Sequence, residues 1–195
     1  MRNRAIILGN GPSRLDFEFE QMNDWATTFG CNAIYRDATP DYLVAMDYQM
    51  VDEILTARAH LRSKFYTQHE NRMDERANHE PINFILIETD TLDSGNSAIK
   101  VAVREGFTDI YLVGFDGRTN RFRDNVYAGT NNYSTAKPTE NDVHNWQTRL
   151  RHTVSRFPHV QFTRVTNDSE LVINATNYKN MLPLTFRQLY RGDNN

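Results

Sequence analysis

One hundred and ninety-five residues, 39% of them apolar, 24% charged and 11% aromatic, exclude a disordered chain and suit a single globular domain spanning 1–195, since domains run to roughly 100–200 residues each. A net charge of −3, from 22 basic and 25 acidic residues, aims no global field at nucleic acid or an anionic membrane. The one cysteine, Cys31, excludes an internal disulfide framework and a cysteine-built zinc site.

Eighteen of the 22 basic residues are Arg, a side chain suited to bidentate capture of phosphate or carboxylate. No apolar run approaches the ~18 residues of a membrane span. The apolar stretch after Met1 is too short for the core of a signal peptide, which needs about 7–15 residues. These features point to a soluble, cytoplasmic protein.

Strand-like and helix-like segments alternate along the chain. Ala5 to Leu8 reads as a buried strand ending at Gly9. A second strand is expected over Ala26 to Cys31, and a third over Asp41 to Met46 after the turn signal at Pro40. Met50, Val51, Ile54, Leu55 and Ala59 recur at helical spacing. Lys64 to Tyr66 reads as a short strand, His69 to Glu80 as a polar loop, and Asn83 to Ile87 as a strand. Ser94 to Glu105 is expected to be a helix capped by Asp93 or Ser94 and stopped by Gly106. Asp109 to Val113 reads as a buried strand and Arg118 to Pro138 as a long polar loop. Loops beyond ~12–15 residues in compact domains commonly serve as lids. Glu140 to Phe157 is expected to be the longest helix and Val160 to Val165 the next strand. The tail carries Leu171-Val172-Ile173 and a short helix, Thr185 to Tyr190. From Asn167 onward it has two places to pack, its own sheet or a second copy in a homo-oligomer.

This alternation predicts an α/β, Rossmann-like, doubly wound and mostly parallel sheet, with a short lid loop at about 117–138. Ligands of such sheets bind at the carboxyl ends of the strands, where the strand order switches. The first strand ends in Gly9-Asn10-Gly11-Pro12-Ser13. Two glycines permit close approach of backbone to an anion, and Pro12 suits a first helical turn. A dinucleotide fingerprint would place a third glycine at Arg14 and an acidic residue at the end of the second strand, which instead reads Cys31-Asn32. NAD and FAD are therefore not expected. The other strand ends carry Asp47 and Gly114-Phe115-Asp116, and Asp93 to Ser97 makes a second helix start rich in small donors. Two helix starts facing one crevice suit a nucleotide or a nucleotide sugar.

Ile6 to Ser13, Cys31-Asn32, Ser94-Gly95 and Ile110 to Asp116 occur in an order that resembles bacterial sialyltransferases of the lipooligosaccharide type. Thr39 to Asp47 and the block from Ser94 to Asp116 are similar also to 6-hydroxymethylpterin pyrophosphokinase-like proteins. The first resemblance implies transfer from a cytidine monophosphate sugar. It assigns Asn10, Asn32, Ser94 and Gly95 to the nucleotide, beside the cradle that Gly9, Gly11 and Ser13 offer a phosphate or ribose, and Tyr127 or Tyr133 to the departing phosphate. That family places a His base shortly before the last long helix. Here the stretch Tyr133 to Pro138 has none, so Asp116 or Asp47 is the candidate carboxylate base. The second resemblance implies Mg²⁺-dependent pyrophosphoryl transfer, with Asp47 and Asp116 as metal ligands and Arg118, Arg121 and Arg123 around the phosphates. A third reading is a non-catalytic nucleotide- or sugar-binding module. No metal spacing is seen among the six His, Cys31 reads as a packing residue, and Trp25 and Trp146 read as packing anchors. The partners expected are a nucleotide or nucleotide sugar and an acceptor of unknown identity, with no cofactor certain beyond Mg²⁺ in the second reading.

Overall fold

Ala5 and Ile7 point to one side of the first strand, Ile6 and Leu8 to the other, and all four are fully buried. A strand apolar on both faces belongs in the middle of a sheet covered on both sides, and it lies there. The structure is a computed structural model that describes residues 3–22, 24–68, 83–84, 93–116, 125–135, 139–167 and 178–191. Its strands are β1 (Arg4–Leu8), β2 (Thr27–Cys31), β3 (Tyr42–Val44), β4 (Lys64–Thr67), β5 (Asn83–Phe84), β6 (Asp109–Val113), β7 (Gln161–Val165) and β8 (Met181–Leu184). They form one sheet in the order β5-β4-β3-β2-β1-β6-β7-β8, and every pairing is parallel. From β1 the chain winds outward through β2 to β5, then returns to β1's other edge and winds outward again through β6 to β8. The strand order therefore reverses between β1 and β6, as the doubly wound expectation requires.

The helices are α1 (Phe19–Met22), α2 (Tyr48–Thr56), α3 (Ser94–Arg104), α4 (Glu140–Ser155) and α5 (Phe186–Arg191). Ile6, Leu8, Leu43, Tyr111, Val113 and Val165 pack with Met50, Val51, Ile54 and Leu55 of α2 and Phe186 and Leu189 of α5. Ala5, Ile7, Phe29, Ile110, Leu112 and Phe162 pack on the opposite face with Ala98, Ile99, Val101 and Ala102 of α3 and Leu150 and Val154 of α4. Each fully buried aliphatic or aromatic side chain contributes roughly 1.5–3 kcal/mol, so these two cores hold the sheet and fix its carboxyl edge.

Three differences from the sequence reading have local causes. Ala45 and Met46 remain buried but leave the ladder after Val44. The short helix α1 lacks an apolar period because it has only four residues. The tail adds β8 beside β7, with Pro183 inside it; a strand pairing along one edge can omit the donor that proline lacks. The segments 69–80, 85–87 and 171–173, and the arginines at 118, 121 and 123, lie outside the described residues. Among the described residues no helix is long and apolar enough to cross a membrane.

Candidate functional site at the strand switch

The loops following β1 and β6 meet where the strand order reverses, and they meet backbone to backbone. Gly9 N–H donates to Val113 O at 2.8 Å and Gly11 N–H to Gly114 O at 2.9 Å. Gly114 has φ +75°, a left-handed conformation that favours glycine, and a Cβ there would stand 2.6 Å from Gly9 O. A Cβ on Gly9 would likewise stand 2.6 Å from Gly114 O. The two loops are further stitched by Ser13, whose N–H donates to Asp116 Oδ2 at 2.8 Å and whose Oγ accepts from Gly114 N–H at 3.2 Å. Ser13 thus joins the loops and is itself buried.

A second polar chain ties together the ends of β2 and β3, the start of α3 and residues 125–135. Met46 N–H donates to Ser94 Oγ at 3.1 Å, and Ser94 Oγ donates to Asn32 Oδ1 at 2.6 Å. Asn32, at φ 54°, takes a left-handed turn that asparagine tolerates better than other side chains. Its amide and the Ala33 backbone favour the ionised form of the Tyr133 phenol. Asn10 Nδ2 donates to the same phenol oxygen at 3.1 Å and to Cys31 O at 3.3 Å. Burial pushes the Tyr133 hydroxyl up to about 12 against these groups, so it stays protonated near neutrality. Its neighbour Tyr127, 5.5 Å away ring to ring, donates to Asp37 Oδ2 at 2.6 Å. Burial and that bond both raise the Tyr127 phenol well above its ordinary value. Burial also pushes the Cys31 thiol up, with Asp93 adding to the effect, which suits packing over nucleophilic chemistry.

Between these two knots opens a cavity of about 220 Å³. Of the residues expected from sequence, Gly9, Asn10, Gly11, Asn32, Gly95 and Asp116 line it. Ser13, Ser94, Tyr127 and Tyr133 stand behind that wall and hold it. Asp47 lies apart from it, exposed at the start of α2. Among the described residues no group of three or more His, Cys, Asp and Glu is placed to hold a metal ion. Sequence reasoning missed further wall residues, among them Asn96, Trp146 and Arg164. Asn96 sits in the motif Asp93-Ser94-Gly95-Asn96-Ser97, whose density of donors was the available signal. Trp146 is 40% exposed and is among the cavity's lining residues, where a packing anchor was expected. Arg164 is a charge inside an expected buried strand, an anomaly visible in the bare sequence.

Among the apolar groups of the wall stand polar ones that are incompletely satisfied. Asn10 Oδ1, Asn96 Oδ1 and Arg164 Nε are each buried without a hydrogen-bond partner. Native proteins pair the large majority of buried polar atoms, and three unpaired ones around one cavity mark a place where a ligand would supply partners. Part of the expected lid is described, and it is fastened over this side of the molecule. Val126 N–H donates to Asn10 O at 2.9 Å. Arg36 reaches Thr130 Oγ1 at 2.8 Å and Asn131 O at 3.0 Å.

No protein-family model matches the sequence, and no curated protein does either. The fold is similar to that of the MAf glycosyltransferase from Magnetospirillum magneticum AMB-1, with a TM-score of 0.61 and 15% identity over 94% of this chain. This chain spans 34% of that protein's length. A mutant form of the α-2,3/8-sialyltransferase CstII aligns with a TM-score of 0.48 and 15% identity over 92% of this chain and 87% of its own. The chain therefore shares the α/β, Rossmann-like fold of a known glycosyltransferase.

Proposed function

We propose that this chain is a nucleotide-sugar-dependent glycosyltransferase domain using a cytidine-monophosphate type of donor. The observation that carries the proposal is the cavity at the strand switch, with Asn10 Oδ1 and Asn96 Oδ1 buried and unpartnered in its wall. Ligands of doubly wound sheets bind at this point, and amides in a dry wall suit the hydroxyls and ring nitrogens of a nucleoside. In this reading Asn10, Asn32 and Asn96 bind the nucleotide. The glycine backbone of residues 9–11 and the start of α3 at Gly95 face its phosphate.

Transfer would proceed by in-line displacement at the sugar's anomeric carbon. The acceptor oxygen forms the new bond, the nucleotide phosphate leaves with the electron pair, and the acceptor proton goes to a carboxylate. Asp116 is the carboxylate in the wall best placed for that proton, because Ser13 N–H holds one of its oxygens and so orients the other. Tyr133 acts through Asn10, fixing that amide by accepting its hydrogen bond, while Ser94 Oγ fixes Asn32 by donating to its Oδ1. Tyr127 fixes Tyr133 from behind.

Thermal unfolding with CMP, CDP, UDP and ATP, each with and without Mg²⁺, tests the reading. A ligand at 100 times its Kd stabilises the native state by about 2.7 kcal/mol. For a chain of this size that raises Tm by several degrees, at roughly 2–4 °C per kcal/mol. CMP is expected to give this shift without metal, and Asn32→Ala to abolish it. Stabilisation by ATP only with Mg²⁺ would replace this reading with pyrophosphoryl transfer. No shift with any nucleotide would leave neither.

A further inference from the structure

Arg164 stands where the pattern of the strand calls for an apolar side chain. It lies two residues beyond Phe162 on β7 and so shares that residue's face of the sheet. Its neighbour in the ladder is Leu112 on β6, and both Leu112 and Phe162 are fully buried in the core beneath α3 and α4. Arg164 is itself only 4% exposed. Its Nε has no hydrogen-bond partner, yet the side chain forms part of the cavity wall. A guanidinium is always charged, and holding one out of water without a partner costs stability. The groups that favour its charge are the Tyr178 phenol and then Asp116, whose carboxylate is turned toward Ser13 N–H. The cation therefore faces the cavity with hydrogen-bonding capacity unspent, among apolar neighbours that keep water from screening it.

We propose that Arg164 is a built-in receptor for an oxyanion group, phosphate or carboxylate, of the small ligand that occupies the cavity at the strand switch. The planar fork of a guanidinium matches the spacing of two oxygens on either group. The bound oxyanion would restore the neutrality and the hydrogen bonds that the core withholds. This assignment rests on the reading of that cavity as the ligand site, but it does not require that the ligand be a nucleotide.

The test uses the full chain at constant ionic strength, with inorganic phosphate, pyrophosphate, CMP, cytidine and glucuronate as probes. Arg164→Met places an apolar side chain of similar length on an apolar face. It should raise Tm without ligand while weakening the preferred anion roughly tenfold or more, the loss expected of a charge-assisted hydrogen bond. Arg164→Lys keeps the charge but loses the fork and should fall between. Preference for pyrophosphate and CMP over glucuronate identifies a phosphate receptor, and the reverse preference a carboxylate receptor. Equal binding of every anion by wild type and Arg164→Met overturns the assignment. If Arg164→Met fails to fold, the wild type supplies the readout. The Nε–H resonance that Arg164→Lys removes should move when the preferred anion saturates the protein, and a stationary resonance overturns the proposal. CMP binding, with it and every other anion bound equally by wild type and Arg164→Met, would sink this inference and spare the nucleotide reading. An inert CMP beside an anion that moves the Arg164 resonance would do the opposite.

Discussion

Gly114 shows how much of the site depends on one missing atom. Its φ of +75° and the lack of a Cβ, which would stand 2.6 Å from Gly9 O, let two loops touch through their backbones, and neither carbonyl can swing aside as a side chain would. A left-handed conformation alone costs a residue with a Cβ about 1–2 kcal/mol. Gly114→Ala adds a clash to that cost and should lose more than about 2 kcal/mol in urea unfolding. Gly106 is the control: its φ is +94°, but a Cβ there meets nothing within 4 Å. Gly106→Ala should therefore show the conformational cost alone. Equal losses at both positions would mean that the loops can separate freely. The two glycines of Gly9-Asn10-Gly11 are legible as a turn in the sequence. What they approach is not, because Gly114 lies more than a hundred residues away.

At the scale of an element, α3 carries the clearest device. Asp93 Oδ1 accepts from Asn96 N–H at 2.8 Å, and the Asn96 amide leans on both oxygens of the same carboxylate at 3.0 and 2.9 Å. The cap therefore does two things: it satisfies the first turn, and it sets the rotamer of an asparagine in the cavity wall. Asp93→Ala should cost about 1 kcal/mol, the usual value of an N-cap, seen as a Tm lower by roughly 2–4 °C. Asp93→Ser should recover most of that stability by capping, without restoring the double contact to Asn96. If ligand binding returned together with stability, the cap alone would matter. This cap and the apolar face of α3 are readable in the sequence because both are local. The strand β8 is not, since it has only four residues and contains Pro183, and its pairing partner β7 is what makes it a strand.

For the whole molecule, three carboxylates brace the sheet and its covering helices. Glu105 accepts from Lys64, Tyr42 and Tyr66, each at 2.9 Å. Burial raises its pKa, but those three donors outweigh burial and leave it below the ordinary value. Glu53 is held down in the same way by Tyr35 and Arg36, and Asp37 by Tyr127 and Arg14. Each is lower in the folded state than its unfolded value of about 4.3 for Glu and 3.9 for Asp. Their contribution to stability is complete above those values and is lost as pH falls through the folded ones. Asp109 opposes them: burial raises it while Arg4 pulls it down, so its protonation favours the folded state. Asp142 joins the first three, lowered by its Thr139 bonds; with four against one, Tm should stay level between about pH 6 and 8 and fall below about pH 4. Glu105→Gln should flatten that fall, and an unchanged acid limb would show that the cluster contributes nothing.

The apolar runs Ala5 to Leu8 and Ile110 to Val113, alternating with helical periods, were enough to determine a doubly wound α/β sheet. The parity of a strand and the period of a helix are properties of neighbouring residues, and the crevice at the carboxyl ends follows from that class of fold. Asn10, Asn32, Gly95 and Asp116 were legible as candidates, and they line the cavity, each following a strand or opening a helix. Only the tertiary structure decided how they divide the work. It turned Asp116 toward Ser13, set Tyr133 behind Asn10 and Asn32, left Asp47 apart, and brought Arg164 to the wall. These are choices among long-range contacts, and a side chain's partner across the sheet depends on strand order and register, which no local pattern encodes. The single domain suggested by 195 residues is thus a sheet whose reversal point gathers polar groups that the chain itself leaves unpaired.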